Sequence, residues 1–200
     1  MTKYIYEHKN WTEFSWQDKA INVVFGEVRL MQGKIIGQMN ALGFSAKEEV
    51  TLTALTSDIV KSSEIEGELL NYEQVRSSVA RRLGINTGGL VQGSRTIEGV
   101  VEMMLDATQR YNLPLTEKRL FGWHAALFPT GYSGPYAIEA GRYRTGEMQV
   151  VSGAMGKEKV HYKAVKPERV KPEMDKYLDW FNNEHGLDPV LKAAIAHFWF

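Results

Sequence analysis

Two short clusters of polar residues carry the side chains best suited to chemistry in this sequence of 200 residues. In the first cluster, residues 61–68 (KSSEIEGE), Ser62 and Glu66 are four positions apart and share a face if a helix continues through them. Gly67 lets the backbone turn or lets another group approach closely. Glutamates at the C-terminus of a helix are repelled by the negative end of its dipole. A cationic partner from elsewhere would offset this repulsion. The alternative is a helix end that passes into a polar loop.

The second cluster is a glycine-bounded loop, residues 141–146 (GRYRTG). It contains Arg142 and Arg144, and guanidinium groups bind phosphate or carboxylate through paired hydrogen bonds. The alternative is a solvated loop. The five histidines show no metal-ligand spacing, and the sequence has no serine–histidine–aspartate signature and no phosphate-binding glycine loop. The residues therefore predict binding groups but neither a complete catalytic site nor a metal site.

Composition narrows the classes of partner and compartment. The chain has no cysteine, which excludes disulfides, thiolate metal sites and cysteine nucleophiles. Lys plus Arg and Asp plus Glu each total 24, so no net field favours nucleic acid or an anionic membrane. No run of about 18 apolar residues could span a bilayer, and the first residues lack an apolar leader. We therefore expect a cytoplasmic protein without a nucleic-acid or membrane partner.

Apolar residues spaced three and four apart predict helices along most of the chain. In the first helix, at about residues 20–41, they form a stripe, although interior glycines either weaken the helix prediction or mark close packing. This stripe comprises Val24, Val28, Met31, Ile35 and Met39. Polar N-caps predict where later helices begin. These caps are Ser45, Asn71, Thr116 and Asp188, and a further helix is predicted to run from Ser94 to Tyr111. Two extended runs, residues 148–151 and 159–162, predict a β-hairpin.

These clusters, in this order, resemble the Fic family, particularly bacterial members with an N-terminal helical domain ahead of the Fic core. Ser62, Glu66 and Gly67 fit the fixed positions of the family's inhibitory motif, (S/T)xxxE(G/N). Residues 120–129 (LFGWHAALFP) resemble the opening of the core, and residues 141–151 resemble its flap hairpin. Residues 188–200 are similar to the helix that leads into the active-site motif HxFx(D/E)GNGRxxR, which these 200 residues do not contain.

The resemblance implies a mostly α fold, in which an N-terminal helical domain precedes a Fic-like helical bundle with a small β-hairpin flap. The N-terminal domain would span residues 1–90 and carry the inhibitory motif. The first part of the core would span residues 91–200, truncated at its C-terminus. Because residues 193–200 are apolar up to the final aromatic residues, we expect the native polypeptide to continue and the residues after 197 to expose apolar surface.

The implied function is that of a self-inhibited protein adenylyltransferase (AMPylator), which uses ATP and Mg²⁺ to transfer AMP to a Ser, Thr or Tyr hydroxyl of a target protein. Glu66, with Ser62 and Gly67, would be inhibitory by pairing with the second Arg of the active-site motif. Catalytic residues and metal ligands would lie in that motif, so we expect the 200 residues alone to be inactive.

The same resemblance assigns roles to the second cluster and its hairpin. The flap would align an extended target segment by strand pairing. Its docking residues would be Met148, Gln149, Val150 and Val151, and the residues near the nucleotide would be Arg142, Arg144 and Thr145.

Three further points stay open at this stage. A homodimer is a reasonable expectation, since inhibition can be paired between subunits. A regulatory or interaction module without activity is an alternative function. Removal of AMP by the same fold is another, because Glu66 could position a hydrolytic water.

Overall fold

The computed structural model describes residues 4–86, 88–89, 91–154 and 156–200, and this part of the chain is mostly helical, as predicted. A 3₁₀ turn, Ile5–Glu7, comes first. The α-helices are α1 (Asp18–Ala41), α2 (Phe44–Ile65), α3 (Tyr72–Leu83), α4 (Arg95–Gln109), α5 (Glu117–Leu127), α6 (Pro167–Asn183) and α7 (Pro189–Trp199). The strands are β1 (Tyr132–Ser133), β2 (Tyr136–Ala137), β3 (Gln149–Ser152) and β4 (Lys159–Lys163). No described helix is long and apolar enough to cross a membrane.

Three of the four predicted N-caps are confirmed by hydrogen bonds from backbone N–H groups to the capping side chain, and Ser94, predicted as the first residue of a helix, caps α4 in the same way. These bonds are Gln74 to Asn71 (3.0 Å), Ile97 to Ser94 (3.3 Å), Arg119 to Thr116 (3.2 Å) and Val190 to Asp188 (2.8 Å). The cap predicted at Ser45 is wrong, because α2 already begins at Phe44 and Gly43 is its N-cap. A glycine frees the chain to turn into a helix without a side-chain hydrogen bond.

Two compact units make up the chain. The helical unit comprises Trp16–Asn112 and Trp123–Tyr136, and the flap unit comprises the segment up to Ser15 together with Leu113–Gly122 and Ala137–Phe200. The division at residue 90 that the resemblance implies remains a prediction.

The core of the helical unit lies among α2, α3 and α4. Its fully or almost fully buried residues are Leu52, Ile59, Val75, Val79, Ala80, Ile97, Val100 and Val101. Where α4 packs against α5, there is room only for a glycine at position 99. A Cβ there would lie 1.9 Å from the carbonyl oxygen of Ala126. This core holds the last turns of α2, and therefore the first polar cluster, in place.

The predicted first helix is present as α1, but its apolar stripe is not covered. From Val24 to Met39 the stripe contains no buried residue. Val24, Met31 and Ile35 are 54%, 59% and 54% exposed. The 3.6-residue period predicts which side chains share a face of a helix, but it does not say whether another element covers that face.

In the flap unit, Asn182 of α6 fixes the entry to α5. Its side-chain oxygen accepts a hydrogen bond from the backbone N–H of Leu115 (2.8 Å), and its side-chain N–H group donates to the Leu115 carbonyl (2.8 Å). The two bonds satisfy both backbone groups of Leu115, which is itself buried. Two segments far apart in the sequence are thereby joined.

Aromatic side chains cover part of the end of α7. The Trp199 ring contacts Trp11 at a centroid distance of 5.7 Å and Tyr177 at 5.8 Å. Phe198 and Phe200 nevertheless remain 61% and 70% exposed. The apolar surface predicted after residue 197 is therefore present at these two residues, whereas Trp199 is half-buried.

Candidate functional site

The first polar cluster forms a helix end of defined geometry. Glu66 is the residue that follows the last turn of α2, and Gly67 has a left-handed backbone with φ of 85°. The N–H of Gly67 donates to the carbonyl of Glu64 (3.0 Å), and the N–H of Glu68 donates to that of Ser63 (2.8 Å). This pair of bonds is the Schellman motif, which satisfies carbonyls that the helix leaves open. The bonds alone account for a glycine at position 67.

The carboxylates of this cluster differ in their partners. Lys61 forms an ion pair with Glu64, at 2.6 Å between Nζ and Oε2. Glu66 is exposed, and no described residue forms a hydrogen bond or ion pair with its carboxylate. Ser62, one turn earlier, is also exposed, and its carbonyl accepts from the N–H of Glu66 (3.4 Å). The structure therefore holds Glu66 at a helix C-terminus, where a cation would be attracted both by the carboxylate and by the helix dipole.

The second cluster is tied together by polar contacts of its own. Glu139 accepts hydrogen bonds from Thr145, at 2.7 Å from Oγ1 and 2.8 Å from the backbone N–H. These hydrogen bonds hold the pKa of the Glu139 carboxyl below its ordinary value. Arg142 lies 3.6 Å from Glu139 and its side chain is 66% exposed. Of the two arginines, Arg142 is thus the more exposed to solvent.

Arg144 connects the loop to the base of the flap. Its guanidinium donates to the carbonyl of Gly146 (2.7 Å) and to the carbonyl of Val165. These two carbonyls precede β3 and follow β4, so one side chain joins both legs of the hairpin. The predicted position of Arg144 near a nucleotide remains a prediction, and its contacts in the structure are those of a clamp.

The flap hairpin is confirmed, with β3 and β4 antiparallel. Val150 pairs with Tyr162 and Val151 with Val160, so a β-bulge places His161 between the two pairs. The His161 ring lies 2.6 Å, Nε2 to Oγ, from Ser152. Among the described residues each strand pairs only with the other, which leaves the outer edge of β3 open.

The predicted docking residues lie on or beside that edge. The Met148 carbonyl accepts from the Ala164 N–H (2.9 Å), which continues the ladder one step beyond the strands. Met148, Val150 and Val151 are 58%, 58% and 41% exposed, and Gln149 is exposed as well. The structure thus brings the loop and the hairpin together in one unit, while the cluster at the end of α2 belongs to the other unit.

Sequence reasoning missed a support for the flap that comes from the start of the chain. The ring of Tyr162 in β4 contacts Tyr4 at a centroid distance of 5.3 Å and Tyr6 at 6.0 Å. The Tyr6 hydroxyl donates to the carbonyl of Ala164 (3.5 Å). Burial raises the pKa of Tyr162 above its ordinary value, which keeps this side chain neutral. Tyr6 lies in the 3₁₀ turn that Tyr4 precedes, so no strand-like alternation in the sequence signalled this contact.

The described cavity lies apart from these residues. An open cavity of about 380 Å³ lies in the helical unit, between the start of α4 and the end of α5. Its lining includes Arg95, Glu98 and Glu102 but none of the predicted site residues. Within the described ranges, no group of three or more His, Asp or Glu side chains could hold a metal ion.

Comparisons with known proteins identify the second half of the chain. A model described as a domain of unknown function (DUF4172) matches residues 4–85, and the model of the Fic/DOC family matches residues 114–200. Over residues 114–200 the chain is similar to the Fic/DOC family. The resemblance to Fic proteins is thereby confirmed. The Fic match contains the arginine loop and the flap, whereas Glu66 lies in the part matched by DUF4172. No curated protein matches the chain.

Among solved structures, the chain is similar to a Fic family protein from Desulfovibrio desulfuricans G20. The TM-score is 0.54 and the sequence identity 24%, over 94% of this chain and 52% of that one. This likeness supports the Fic-like helical fold. The chain spans about half the length of that Fic protein.

Proposed function

We propose that this chain is the N-terminal, regulatory and target-docking part of a self-inhibited protein adenylyltransferase. The complete enzyme would transfer AMP from ATP to a Ser, Thr or Tyr hydroxyl of a target protein. The observation that carries the proposal is the Glu66 carboxylate, which is exposed at the end of α2 without a described partner, in a chain whose second half is similar to the Fic/DOC family.

Electrostatics explains why Glu66 would seek a cation. A carboxylate near a helix C-terminus is repelled by the helix dipole, at a cost of about 0.3–1 kcal/mol. Lys61 offsets this repulsion for Glu64, but no described residue does so for Glu66. We propose that the second Arg of an HxFx(D/E)GNGRxxR motif fills this role in a polypeptide that carries both segments. An Arg held by Glu66 could not also hold the γ-phosphate of ATP, which is the basis of the inhibition.

The flap would supply the docking site for the target. The outer edge of β3 offers unpaired backbone groups to an extended segment, and Met148, Val150 and Val151 offer exposed apolar surface beside it. Arg144, Tyr4 and Tyr6 hold the hairpin in place. Because main-chain pairing tolerates many sequences, we propose only the class of target, a protein segment presenting a hydroxyl side chain.

A non-catalytic interaction module is the second candidate. The Schellman motif explains Gly67, and the clamp on two carbonyls explains Arg144, without any nucleotide. In this alternative, the flap edge binds a partner and no chemistry follows. The two candidates differ in what replacing Glu66 does.

The test uses a protein that carries this sequence together with the active-site motif. Self-labelling with labelled ATP and Mg²⁺ is measured for the wild type, Glu66→Gly and a control, Glu68→Gly, whose side chain is also exposed two residues away. Strong labelling by Glu66→Gly alone supports the adenylyltransferase. Silence of all three proteins, with no ATP binding, supports the interaction module. Loss of AMP from a modified target with the wild type would indicate removal of AMP instead.

A further inference from the structure

The two strands of the flap carry charge of one sign. Strands β3 and β4 contain Lys159 and Lys163 but no Asp or Glu. Both lysines are exposed, and no described residue forms a hydrogen bond or ion pair with either side chain. Lys159 lies directly opposite Ser152, and Lys163 lies directly opposite Gln149. The flap therefore presents two ammonium groups without a described partner, one at each end of β3.

The two lysines lie on different faces of the hairpin. Directly opposed residues of an antiparallel pair share a face, and successive residues of one strand alternate between faces. Because Gln149 and Ser152 are the first and last residues of the four-residue strand β3, they are on opposite faces. Lys159 therefore shares its face with Ser152 and Val150, and Lys163 shares the other face with Gln149.

The nearby carboxylates leave Lys159 without a counter-charge. Glu158 precedes Lys159 in the sequence, but its Oε1 accepts a hydrogen bond from the Gly156 N–H (2.8 Å), so this carboxylate is engaged in the turn at the tip of the hairpin. Glu147 lies beyond the opposite end of β3. The end of β3 at Ser152 is therefore the more positive of the two ends.

The small side chain of Ser152 leaves Lys159 room to reach across β3. Neighbouring strands are about 4.8 Å apart, and the flexible four-carbon stem of lysine spans a distance of that size. The Ser152 hydroxyl is itself held by the His161 ring, at 2.6 Å between Oγ and Nε2. On the other face, the larger side chain of Gln149 stands in the corresponding path of Lys163. The ammonium group of Lys159 is thus the better placed to meet a side chain beyond the open edge.

We propose that the open edge of β3 selects an acidic target segment, in which Asp or Glu lies beside Ser152, and that Lys159 determines this selectivity. The inference rests on the docking role that the proposed function gives to the flap. A segment that pairs with β3 extends the sheet by one strand, so its residue opposite Ser152 lies on the same face as Lys159. The Lys159 ammonium attracts a carboxylate at that position and repels another ammonium.

The expected selectivity is small, because the charges are exposed. An exposed pair of opposite charges changes an equilibrium by up to about fivefold. A segment with Glu at this position should bind about threefold tighter than one with Gln, and a segment with Lys about threefold weaker, which gives a ratio of about tenfold between Glu and Lys. The ratio should shrink in about 1 M salt, where charges are screened over about 3 Å.

The test measures the binding of three synthetic peptides to the 200-residue chain by NMR at low ionic strength. Each peptide has roughly eight residues, within the length of ordinary strands, alternates Val with Thr and is blocked at both ends. The three peptides differ only in one central residue, which is Glu, Gln or Lys. Amide shifts of residues 149–152 show whether a peptide lies at the β3 edge, and their concentration dependence gives the dissociation constant. The Glu peptide should bind most tightly and the Lys peptide least tightly.

Charge reversal at Lys159 tests whether this residue determines the selectivity. Lys159→Glu should invert the order, so that the Lys peptide binds most tightly. Lys166→Glu is the matched control, because it changes the net charge equally and Lys166 is exposed beyond the end of β4 that is remote from Ser152. This control should keep the order of the wild type. The circular dichroism of both variants should match that of the wild type, because both lysines are exposed.

Equal binding of the three peptides at residues 149–152 would overturn the proposal, as would an order that Lys159→Glu and Lys166→Glu alter equally. A third contrary result is the absence of shifts at residues 149–152 with every peptide at about 2 mM, which would fill most of a site with a dissociation constant of about 1 mM. That result would overturn docking by strand pairing as well. The assay contains neither ATP nor the active-site motif, so it is independent of the labelling experiment on Glu66.

Discussion

The Arg144 clamp at the base of the flap gives the most specific prediction about local stability. Arg144→Ala removes the hydrogen bonds to the carbonyls of Gly146 and Val165. A hydrogen bond that involves a charged group contributes about 1.5–3 kcal/mol. Because the Arg144 guanidinium is only partly buried, hydrogen bonds to water replace part of this contribution. We therefore expect the loss of both hydrogen bonds to destabilise the closed hairpin by about 2 kcal/mol. The open form of the hairpin should then become about 30 times more populated.

Hydrogen exchange of the hairpin amides measures this opening directly. The amide of Ala164, which donates to Met148, should lose about 30-fold in protection. Arg142→Ala is the matched control, because the Arg142 side chain is 66% exposed and its guanidinium lies 3.6 Å from the Glu139 carboxylate. Arg142→Ala should change the hydrogen-exchange protection of the hairpin amides by less than about twofold. Equal protection of these amides in the two variants would refute the assignment of Arg144 as the clamp.

Three other predictions concern the scaffold and its pH dependence. Gly99→Ala should destabilise the chain by about 1–3 kcal/mol, because the new Cβ would overlap a carbonyl of α5. A lower midpoint of urea unfolding would show this. Gly122→Ala is the control, because the space around Gly122 is open. Asn182→Ala should selectively speed exchange at the start of α5 and raise the exchange rate of the Leu115 amide. The pKa of the Glu139 carboxyl is lowered in the folded state. The ionised carboxyl therefore stabilises the fold above its unfolded pKa of about 4.3, and this stabilisation is lost as the pH falls through the folded-state pKa. The Thr145 amide shift should therefore titrate with a midpoint below the unfolded pKa of the carboxyl, and a midpoint at or above that pKa would contradict the reasoning.

Local signals predicted much of the fold. Asn71, Ser94, Thr116 and Asp188 each cap the helix that follows them, since a side-chain oxygen satisfies an N–H group within three residues. The β-hairpin followed from two extended runs separated by glycines. Such features depend on neighbours in the sequence, so the sequence alone determines them.

Features that depend on distant residues were not predictable in the same way. The contacts of Tyr4 and Tyr6 with Tyr162 join segments more than 150 residues apart, and no local pattern encodes them. The exposure of α1 likewise depends on what packs against it. At the candidate site, the sequence located Glu66 and the flap but did not distinguish Arg144, bound to two carbonyls, from the more exposed Arg142.

The central claim is that Glu66 restrains nucleotide transfer. The most direct test is the ratio of self-labelling rates between Glu66→Gly and the wild type, measured in a protein that also carries the active-site motif. The account predicts a ratio of about tenfold or more, equivalent to at least about 1.4 kcal/mol of transition-state stabilisation, with Glu68→Gly close to the wild type. A ratio near one, in a preparation that binds ATP, would contradict the claim.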